Sequence, residues 1–573
     1  MASLAPSNVE VSSPTSRRLR LGIIAEAGEL PFAQRELLGA LQKLPGTELT
    51  LLRIPRPPSA PKPWKAGLLS LWTKVDAWFF LANDSDEDSH GPSQSLPSYA
   101  ELKWNDQGEY SGIQAETGPV EGRDFDAVIC FTVEAGLLGS LAATLPRLWW
   151  FESGSEERGW SGSLGGAEAW SVITGGEVST TRLVEHSAQG KRVIAQCSTA
   201  TDPISITRQQ KRAAQERASL VLHALRVRGD DEQDPAAEAQ LARQDDHRNP
   251  TLTFRRLAGF VLRAASRGVG RMTRRAIGRE QWFIAIRKTL DRDSHLRFEN
   301  FRVIRPAADR LYADPFVVEK DGHTYIFFEE LVFAEQKGKI SCLEIDESGV
   351  ACEPRVVVQG SSHLSYPFVF EWNGAMYMMP EMAASGRSEV YRAVQFPWRW
   401  ELERVVFENA RLYDPTICQI DSKFWLFASG VEQDAYCNSQ LHLFFADSPL
   451  GPWTPHPQNP VVFDVRRARP AGQLFRWRGE LIRPGQDCSS TYGRAIALNR
   501  IDVISERSYR ETPVSTLGPE WMRGNMGAHT LSWSQQFQAV DCRVWSGKFA
   551  ARMPNLASGH RFTFGADVLS GRS

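Results

Sequence analysis

The chain of 573 residues lacks the features that mark several common classes of protein. Its eight cysteines include no Cys-x-x-Cys pair and no cysteine–histidine cluster with zinc spacing. The net charge is only −2, so no general basic field favours nucleic acid. No apolar run reaches the ~20 residues that cross a bilayer, and the N-terminal residues lack a signal-peptide core. We therefore expect a cytoplasmic protein with reduced thiols.

The order of hydrophobic patterns predicts two domains of different class. A buried strand at residues 18–28, a helix at 31–44 and a strand at 47–55 form a βαβ opening, which is typical of an open α/β sheet of the Rossmann type. From about residue 298 the pattern is that of β-strands and turns alone. The predicted regions are a disordered segment at 1–18, an α/β domain at 19–225, a linker with a basic helix at 226–295, and an all-β domain at 296–573.

The basic helix contains eight arginines between residues 255 and 279, and this segment contains no acidic residue before Glu280. Four of these arginines, at 263, 267, 271 and 275, recur every fourth residue and so share one face of a helix. One interpretation is peripheral contact with the anionic surface of the inner membrane through residues 255–279. The other is a helix between domains with a solvated charged face.

The α/β region carries motifs of a known enzyme family. The segments "WWFESG", "STTRLVEH", "GKRVIAQ" and "DPISITRQQ" resemble the formyltransferases, which transfer a one-carbon unit from formyl-tetrahydrofolate to an amine. The Asn-x-His pair of that family is absent from residues 19–225, Glu152 stands where the family has a histidine, and His186 is the one well-placed imidazole. We expect a degenerate formyltransferase-like domain. Formyl or acyl transfer to an amino-sugar is kept as an alternative.

The all-β region contains a fivefold repeat. "YADPFVVEKDGHTYIFFEE", "SYPFVFEWNGAMYMMPE", "YDPTICQIDSKFWLFAS", "PAGQLFRWRGELIRPGQD" and "GAHTLSWSQQFQAVDCRVW" align on the turn after each first strand. Asp314, Tyr366, Asp414, Ala471 and His529 are then equivalent, at spacings of 52, 48, 57 and 58 residues. These spacings suit a four-stranded sheet per repeat and predict a five-bladed β-propeller, with residues 298–306 closing the ring.

In a propeller the first strand of each blade lines the central channel, so Asp314 and Asp414 are expected to meet there. Second strands carry Glu329, Glu381 and Gln486 at equivalent positions. Two carboxylates that flank a glycosidic bond supply the acid and the base or nucleophile for glycosyl transfer.

Basic and polar side chains are expected around these acids. The charges of Arg469 and Arg483 would offset the carboxylates or hold an anionic group such as a phosphate. The predicted substrate-binding set is Tyr366, Arg469, Arg483, Gln486, Tyr492 and His529.

The all-β region also resembles a known family. The motifs "YADPF", "GHTYIFFEE", "YMMPE", "YDPTI", "GPWTPHPQNPV", "IRPGQDCSSTYG" and "GAHT" are similar to the propeller at the N-terminus of plant glucosamine inositolphosphorylceramide transferases and of many bacterial proteins from cell-surface glycan clusters. That fold is similar to the furanosidase and fructosyltransferase propellers. The resemblance implies that Asp314 is the base or nucleophile, that Asp414 steers the transition state and that Asp487 is the acid. Asp487 stands where that clan has Glu, so Glu381 is the substitute candidate.

Three functions follow from these observations. The leading one is a carbohydrate-active enzyme that transfers or hydrolyses a glycosyl group in surface polysaccharide or glycolipid assembly, with a sugar donor and a glycan or glycolipid acceptor as partners. The second is a non-catalytic sugar-binding or scaffold protein, and the third is the formyl or acyl transfer named above. The acids imply no organic cofactor or metal, and a Ca²⁺ ion among them stays open.

Overall fold

The fold is known from a computed structural model, which describes residues 18–26, 30–44, 46–54, 76, 98–104, 110–115, 118–120, 124–131, 141, 145, 147–155, 158–159, 166–187, 190–227, 253–289, 301–430 and 437–547. The chain divides into two compact units, with the main division between Gly270 and Arg271. In this part of the chain, no helix combines the length and the apolar character that a membrane crossing requires. The predicted disordered segment at 1–18 and the linker at 229–250 fall almost wholly outside the described residues.

The first unit is a mixed sheet flanked by helices. Its ten strands run in the order β10-β9-β7-β6-β1-β2-β3-β4-β5, with β8 paired to β7. The strands are β1 Leu19–Glu26, β2 Thr47–Ile54, β3 Ser98–Trp104, β4 Tyr110–Ala115, β5 Gly118–Val120, β6 Ala127–Cys130, β7 Leu148–Ser155, β8 Arg158–Gly159, β9 Val178–Ser187 and β10 Gly190–Ala200. The helices are α1 Phe32–Gln42, α2 Gly166–Thr174, α3 Ile206–Arg226 and α4 Phe254–Ile277, the last of which continues beyond this unit.

The predicted βαβ opening is present in this sheet. Strand β1 pairs in parallel with β2 and β6, and α1 lies between β1 and β2 in the sequence. Neighbouring residues on a strand contribute to different cores, since Ile23 packs with α1 and α3 whereas Ile24 packs with Leu52 and Trp150 on the other face. The sheet is therefore covered on both faces, which is typical of parallel strands.

Helix α4 is held against the first unit by side chains on one face. Phe260 is buried against Ile173 and Ile206. On the same helix Arg263 donates to the carbonyl oxygen of Ile173, and Arg267 donates to that of Pro203 at 2.9 Å. These contacts employ two of the four arginines on which the membrane interpretation depends, so contact with a membrane stays a prediction.

The second unit is a ring of five sheets, four of four strands and one of five strands, which confirms the predicted propeller. Blade 1 is β13 Arg310–Lys320, β14 His323–Val332, β15 Lys337–Ile345 and β16 Arg355–Val358. Blade 2 is β17 Ser365–Trp372, β18 Ala375–Glu381, β19 Arg387–Gln395 and β20 Arg399–Glu408. Blade 3 is β21 Tyr413–Ile420, β22 Lys423–Ser429, β23 Gln440–Ala446 and β24 Thr454–Pro455, with β25 Val462–Phe463 also on β23. Blade 4 is β26 Phe475–Trp477, β27 Glu480–Asp487, β28 Ala495–Ile504 and β29 Tyr509–Leu517.

Tight turns fix the register of the inner hairpins. Lys320 pairs with His323, so only Asp321 and Gly322 connect the strands, and both have positive φ, at 53° and 81°. The turns at residues 373–374 and 478–479 have the same form. Positive φ at both central residues defines the type I′ turn, whose twist matches that of the flanking strands. The local sequence therefore sets which side chains of each hairpin face the channel.

Blade 5 joins the two ends of the propeller sequence. Its strands are β11 Gly278–Lys288, β12 Arg302–Ile304, β30 Leu531–Trp533 and β31 Phe537–Gly547, in the order β12-β11-β31-β30. Strand β11 pairs along its whole length with β31. The closing strand expected within residues 298–306 is thus only the outermost strand, and the principal one, β11, lies inside the range that the sequence assigned to the linker. The ring therefore closes through residues before position 296.

Candidate functional site

Three inner strands contain the same unusual backbone conformation. Asp314, Tyr366 and Asp414 have φ of 52°, 43° and 51°, and each precedes a proline. Each also lies where the pairing with the second strand changes register. A left-handed conformation costs a residue with a side chain ~1–3 kcal/mol, and a following proline restricts the backbone further. The three positions that the repeat predicted to be equivalent therefore share one strained backbone conformation, and all three lie at the channel.

Asp414 belongs to a buried group that we call the Arg469 cluster (Glu381, Asp414, Arg469 and Gln486). Arg469 donates to both oxygens of Asp414, from Nε at 2.6 Å and from Nη2 at 3.2 Å. The same Nη2 lies 3.3 Å from Oε2 of Glu381, so one guanidinium bridges two carboxyl groups. Gln486 donates from Nε2 to Asp414 Oδ2 at 2.6 Å. The structure thus brings together four residues that the sequence predicted for the site.

Asp314 belongs to a second buried group, the His529 cluster (Asp314, His529, Thr530 and Asp541). Thr530 Oγ1 donates to Asp314 Oδ1 at 2.7 Å, and the Tyr366 N–H donates to Oδ2 at 3.2 Å. Nε2 of His529 lies 3.6 Å from Asp314 Oδ1, and its Nδ1 pairs with Asp541. Asp541 also accepts the backbone N–H groups of Asp314, His529 and Thr530, at 3.1, 2.8 and 3.0 Å.

The two clusters are built alike. In each, a carboxyl group on the second strand of the preceding blade accepts the N–H of the strained aspartate. Asp541 does so for Asp314 at 3.1 Å, and Glu381 does so for Asp414 at 3.4 Å. Asp541 was not predicted from the sequence. The sequence feature that could have indicated it is a single acid in the apolar run "QAVDCRVW", on a second strand of the repeat.

Burial and mutual repulsion shift the ionisation of the channel acids. Burial raises the pKa of Asp314 to about 7; His529 opposes this rise, and Asp414 adds to it. Burial, followed by the charge of Asp414, raises the pKa of Glu381 well above its usual range, and Arg469 offsets this only in part. The raised pKa favours the protonated form of Glu381.

His529 responds in the opposite sense to the same surroundings. Burial alone would lower the pKa of its imidazole, but the carboxylates of Asp541 and Asp314 raise that pKa to about 9. An opposite charge at such short range favours the charged form of a group. His529 is therefore an imidazolium ion at neutral pH.

An exposed aromatic ring lies at the mouth of both clusters. Tyr492 is 39% exposed, and its ring centroid lies 5.1 Å from the Arg469 guanidinium carbon and 5.2 Å from the His529 ring. Beneath it Trp282 stacks on His529, with ring centroids 4.1 Å apart and planes inclined by 22°. Tyr492 is placed as predicted. Trp282 was missed because its strand, β11, fell in the region read as linker.

Tyr366 has a different position from the one expected of a sugar contact. Its side chain is fully buried, its hydroxyl lies 2.8 Å from Thr416 Oγ1, and that hydroxyl accepts the Gly472 N–H at 2.6 Å. It therefore connects blades 2, 3 and 4, and its contact with a sugar stays a prediction.

Two residues predicted for the site, Arg483 and Asp487, have partners outside the two clusters. Arg483 is fully buried and donates to both oxygens of Glu511, at 2.7 Å each. Asp487 follows Gln486 on β27, so its side chain leaves the strand on the opposite face. Its Oδ1 accepts the Ser489 N–H at 2.9 Å. Glu381, the substitute that the sequence offered for the acid, belongs to the Arg469 cluster instead.

A further ion pair lies beside the His529 cluster. His363 Nε2 is 3.2 Å from Glu329 Oε1, and its Nδ1 accepts the Gly338 N–H at 3.0 Å. The hydrogen bond to Glu329 raises the pKa of His363 above its usual value, despite partial burial. The charge of Glu329 also raises the pKa of Asp314, so this pair contributes to the electrostatics of the channel.

Among the described residues, one group of side chains has the spacing of a metal site. Single ligand atoms of Asp314, His529 and Asp541 lie within 4.8 Å of one another. However, all four carboxylate oxygens accept protein hydrogen bonds or pair with the imidazole. The imidazolium also supplies the positive charge that a cation would bring. The donors present therefore fit an ion cluster of the protein itself better than a Ca²⁺ site.

In the first unit, the two residues singled out for formyl transfer lie near one tryptophan. Trp150 Nε1 donates to Glu152 Oε1 at 3.3 Å, and the edge of the Trp150 ring faces His186, with centroids 5.5 Å apart. This arrangement satisfies the indole N–H and provides no Asn-x-His pair.

Comparison with known families finds a similarity for the second unit. Residues 305–541 match the family model described as the N-terminal part of glucosamine inositolphosphorylceramide transferase 1. The resemblance predicted for the propeller is confirmed. The formyltransferase-like resemblance of the first unit stays a prediction.

Curated relatives agree with this match. Glucosamine inositolphosphorylceramide transferase 1 of Oryza sativa subsp. japonica is 35% identical over 268 residues, which are 44% of this chain and 35% of the relative. The protein of the same name from Arabidopsis thaliana is 39% identical over 206 residues, 35% of this chain and 27% of the relative. The chain thus covers only about a third of the length of these relatives.

Solved structures with partial similarity include two glycoside hydrolases. Zg3597, a family 117 glycoside hydrolase of Zobellia galactanivorans, covers 45% of this chain and 90% of its own, at 15% identity and a TM-score of 0.31. The α-L-arabinanase of Cellvibrio cellulosa, solved with arabinohexaose, covers 35% of this chain and 77% of its own, at 14% identity and a TM-score of 0.27.

Proposed function

We propose that the propeller channel binds a sugar and transfers or hydrolyses a glycosyl group during the assembly of a glycolipid or surface glycan. The observation that carries this proposal is a pair of buried carboxyl groups in one channel that have different charged partners. Burial and the charge of Asp414 raise the pKa of Glu381 well above its usual range, whereas His529 opposes the rise of the pKa of Asp314 to about 7. Glycosyl transfer requires such a division, because one carboxyl group protonates the leaving oxygen and the other acts as base or nucleophile.

The roles follow from the surroundings of each residue. Glu381 is the proton donor, Asp314 is the base or nucleophile, and Asp414 is held in place by Arg469 as the residue that steers the transition state. Tyr492 offers an exposed ring on which a sugar can stack. The curated relatives are named as a glucosamine inositolphosphorylceramide transferase, which agrees with a sugar and a glycolipid as reaction partners.

A turnover screen on the full chain tests the proposal. Nucleotide sugars and aryl glycosides are supplied with glycan and glycolipid acceptors, and the products are detected by mass spectrometry. Asp314→Asn and Glu381→Gln are compared with Asp421→Asn, a matched control in the hairpin turn at the far end of β21. We expect turnover that Asp314→Asn loses on every donor, that Glu381→Gln loses on donors with a poor leaving group, and that the control keeps. Turnover that all three variants keep would contradict the assignment.

A second candidate function is a non-catalytic sugar-binding module. It is favoured by one observation: both carboxylate oxygens of Asp314 and of Asp414 already accept hydrogen bonds from the protein. This function predicts sugar binding that Tyr492→Ala weakens, with no turnover of any donor. Calorimetry of the wild-type protein and this variant with the same sugars separates the two functions.

A further inference from the structure

The Arg469 and His529 clusters differ in the chemistry of their cation. Each cation contacts an inner-strand aspartate and the carboxyl group that accepts the N–H of that aspartate. In the first cluster the cation is an arginine, which stays charged at all ordinary pH. In the second it is a histidine, whose charge depends on the carboxylates of Asp541 and Asp314 that raise its pKa to about 9. The charge of Asp314 therefore depends on a titratable partner, whereas that of Asp414 does not.

His529 is enclosed on several sides. It is 3% exposed, since Trp282 stacks on its ring and the edge of Tyr492 covers it. This enclosure leaves no room for the sugar contact that the sequence predicted for His529.

The charged groups around the imidazole come from four strands. Asp541 and Arg543 are on β31, and the Arg543 guanidinium carbon lies 5.4 Å from the centroid of the Trp282 ring. Asp314 is on β13 and Asp414 is on β21, and both favour the imidazolium. Glu329 of β14 acts on the same site through Asp314. Carboxylates thus outnumber cations around His529.

We propose that His529 and Asp541 are positioning residues of the channel, in which Asp541 holds the His529 imidazolium beside Asp314 and so keeps Asp314 oriented and ionised. The proposal rests on the proposed function for the role of Asp314 as base or nucleophile. Without the imidazolium, Asp314 would be a fully buried carboxyl group facing Asp414, Glu329 and Asp541, and it would take up a proton. Asp541 would act through His529 and the backbone, without touching the sugar.

The first arm of the test measures the charge of His529 directly and needs no substrate. The full chain is labelled with ¹³C and ¹⁵N histidine, and the His529 signal is assigned by its loss in His529→Asn. We expect wild-type His529 to titrate near 9. Asp541→Asn should lower that pKa by at least about 1 unit. If Asp541→Asn does not fold, Asp314→Asn provides the same measurement from the other carboxylate.

The control for this arm is the exposed pair of His323 and Glu344, whose atoms lie 2.6 Å apart. Glu344→Gln should leave the titration of His529 unchanged. A wild-type His529 that is neutral at pH 7, or one that titrates alike in the wild-type protein and in Asp541→Asn, would overturn the proposal.

The second arm uses turnover, where the screen has found a substrate. His529→Asn should move the acidic limb of the pH profile of kcat/KM to higher pH, because Asp314 then keeps its proton longer. A limb that stays in place in His529→Asn would overturn the positioning role. A charged His529 in a protein that turns over no donor would support the ion cluster and overturn the proposed function instead.

Discussion

At the scale of single residues, Asp314 and Asp414 each combine two unfavourable features. Both are buried, and both have positive φ before a proline. The surrounding structure offsets these costs in the same way for each aspartate. A second carboxyl group accepts the backbone N–H of the aspartate, and a cation faces both that carboxyl group and the aspartate. Strain and buried charge that persist together are typical of functional sites, because nothing in folding alone requires them.

The pKa of Asp314 predicts how turnover depends on pH. A carboxyl group that acts as base or nucleophile must be ionised, and burial raises the pKa of Asp314 to about 7. Activity should therefore rise as the pH increases through about 7. The pKa of Glu381 is also raised, which favours the protonated form that a general acid requires. The pH profile of kcat/KM checks this, and a rate that is already maximal at pH 5 would contradict it.

Arg469 should be necessary for stability as well as for function. Its replacement in Arg469→Leu leaves Glu381 and Asp414 without their shared cation. Loss of one partner of a buried ion pair typically costs about 3–5 kcal/mol of unfolding free energy. Urea denaturation measures this loss. Arg494→Leu is the matched control, since its side chain is 43% exposed and lies 3.6 Å from Asp487, and a surface pair contributes only about 1 kcal/mol or less.

Tyr492 should contribute to sugar affinity through its ring. Contacts of aromatic rings are worth about 0.5–1.5 kcal/mol, so Tyr492→Ala should weaken binding up to about tenfold. Tyr492→Phe keeps the ring and should bind nearly as well as the wild-type protein. Calorimetry with the preferred sugar measures the affinity of both variants. Equal losses in both variants would assign the contribution to the hydroxyl group instead.

At the scale of strands and turns, local sequence predicts the repeating parts of the propeller well. Turns such as Asp321-Gly322 determine the type I′ geometry, and the alternation of side chains then follows. The closing blade was harder to predict because β11 pairs with β31, more than 240 residues away. The sequence "EQWFIAIRK" has the pattern of a strand but follows an arginine-rich helix directly, and nothing local indicates its partner.

Blades 4 and 5 approach each other closely at Gly472, so replacement of this glycine should destabilise the protein. Gly472 has a φ of 116°, and a Cβ atom there would overlap the carbonyl oxygen of Leu531. Gly472→Ala should therefore lower the melting temperature markedly, since backbone atoms cannot move aside easily. Gly360→Ala is the control, because its Cβ would meet only Leu364 side-chain carbons at 3.7–3.8 Å. Similar melting temperatures for both variants would contradict the close approach.

At the scale of the whole molecule, the sequence could predict those site residues whose side-chain direction follows from the repeat. Asp414, Glu381, Arg469 and Gln486 converge because the repeat fixes their strands and faces. Arg483 differs because its partner, Glu511, lies on the outermost strand of the same blade, and a repeat alignment does not show that pairing. Asp541 and Trp282 depend on the pairing of the two ends of the propeller, which no local pattern reveals.

The closure of the ring predicts where the propeller can be cut. A fragment that begins at residue 271 keeps β11, whose Phe283, Ile284 and Ile286 are buried. A fragment that begins at residue 296 loses these side chains, and each contributes about 1.5–3 kcal/mol when fully buried. We expect the longer fragment to unfold cooperatively and the shorter one to aggregate or melt at lower temperature. Equal melting temperatures would contradict the role of β11.

The most direct test of the account is the effect of Glu381→Gln on substrates with different leaving groups. General acid catalysis contributes about 10²–10⁴-fold, and only where the leaving oxygen needs a proton. We predict a loss of that size on donors with a poor leaving group and little loss on activated aryl glycosides. An equal loss on both classes, or no loss on either, would contradict the assignment of Glu381 as the acid of a glycosyl-transfer site.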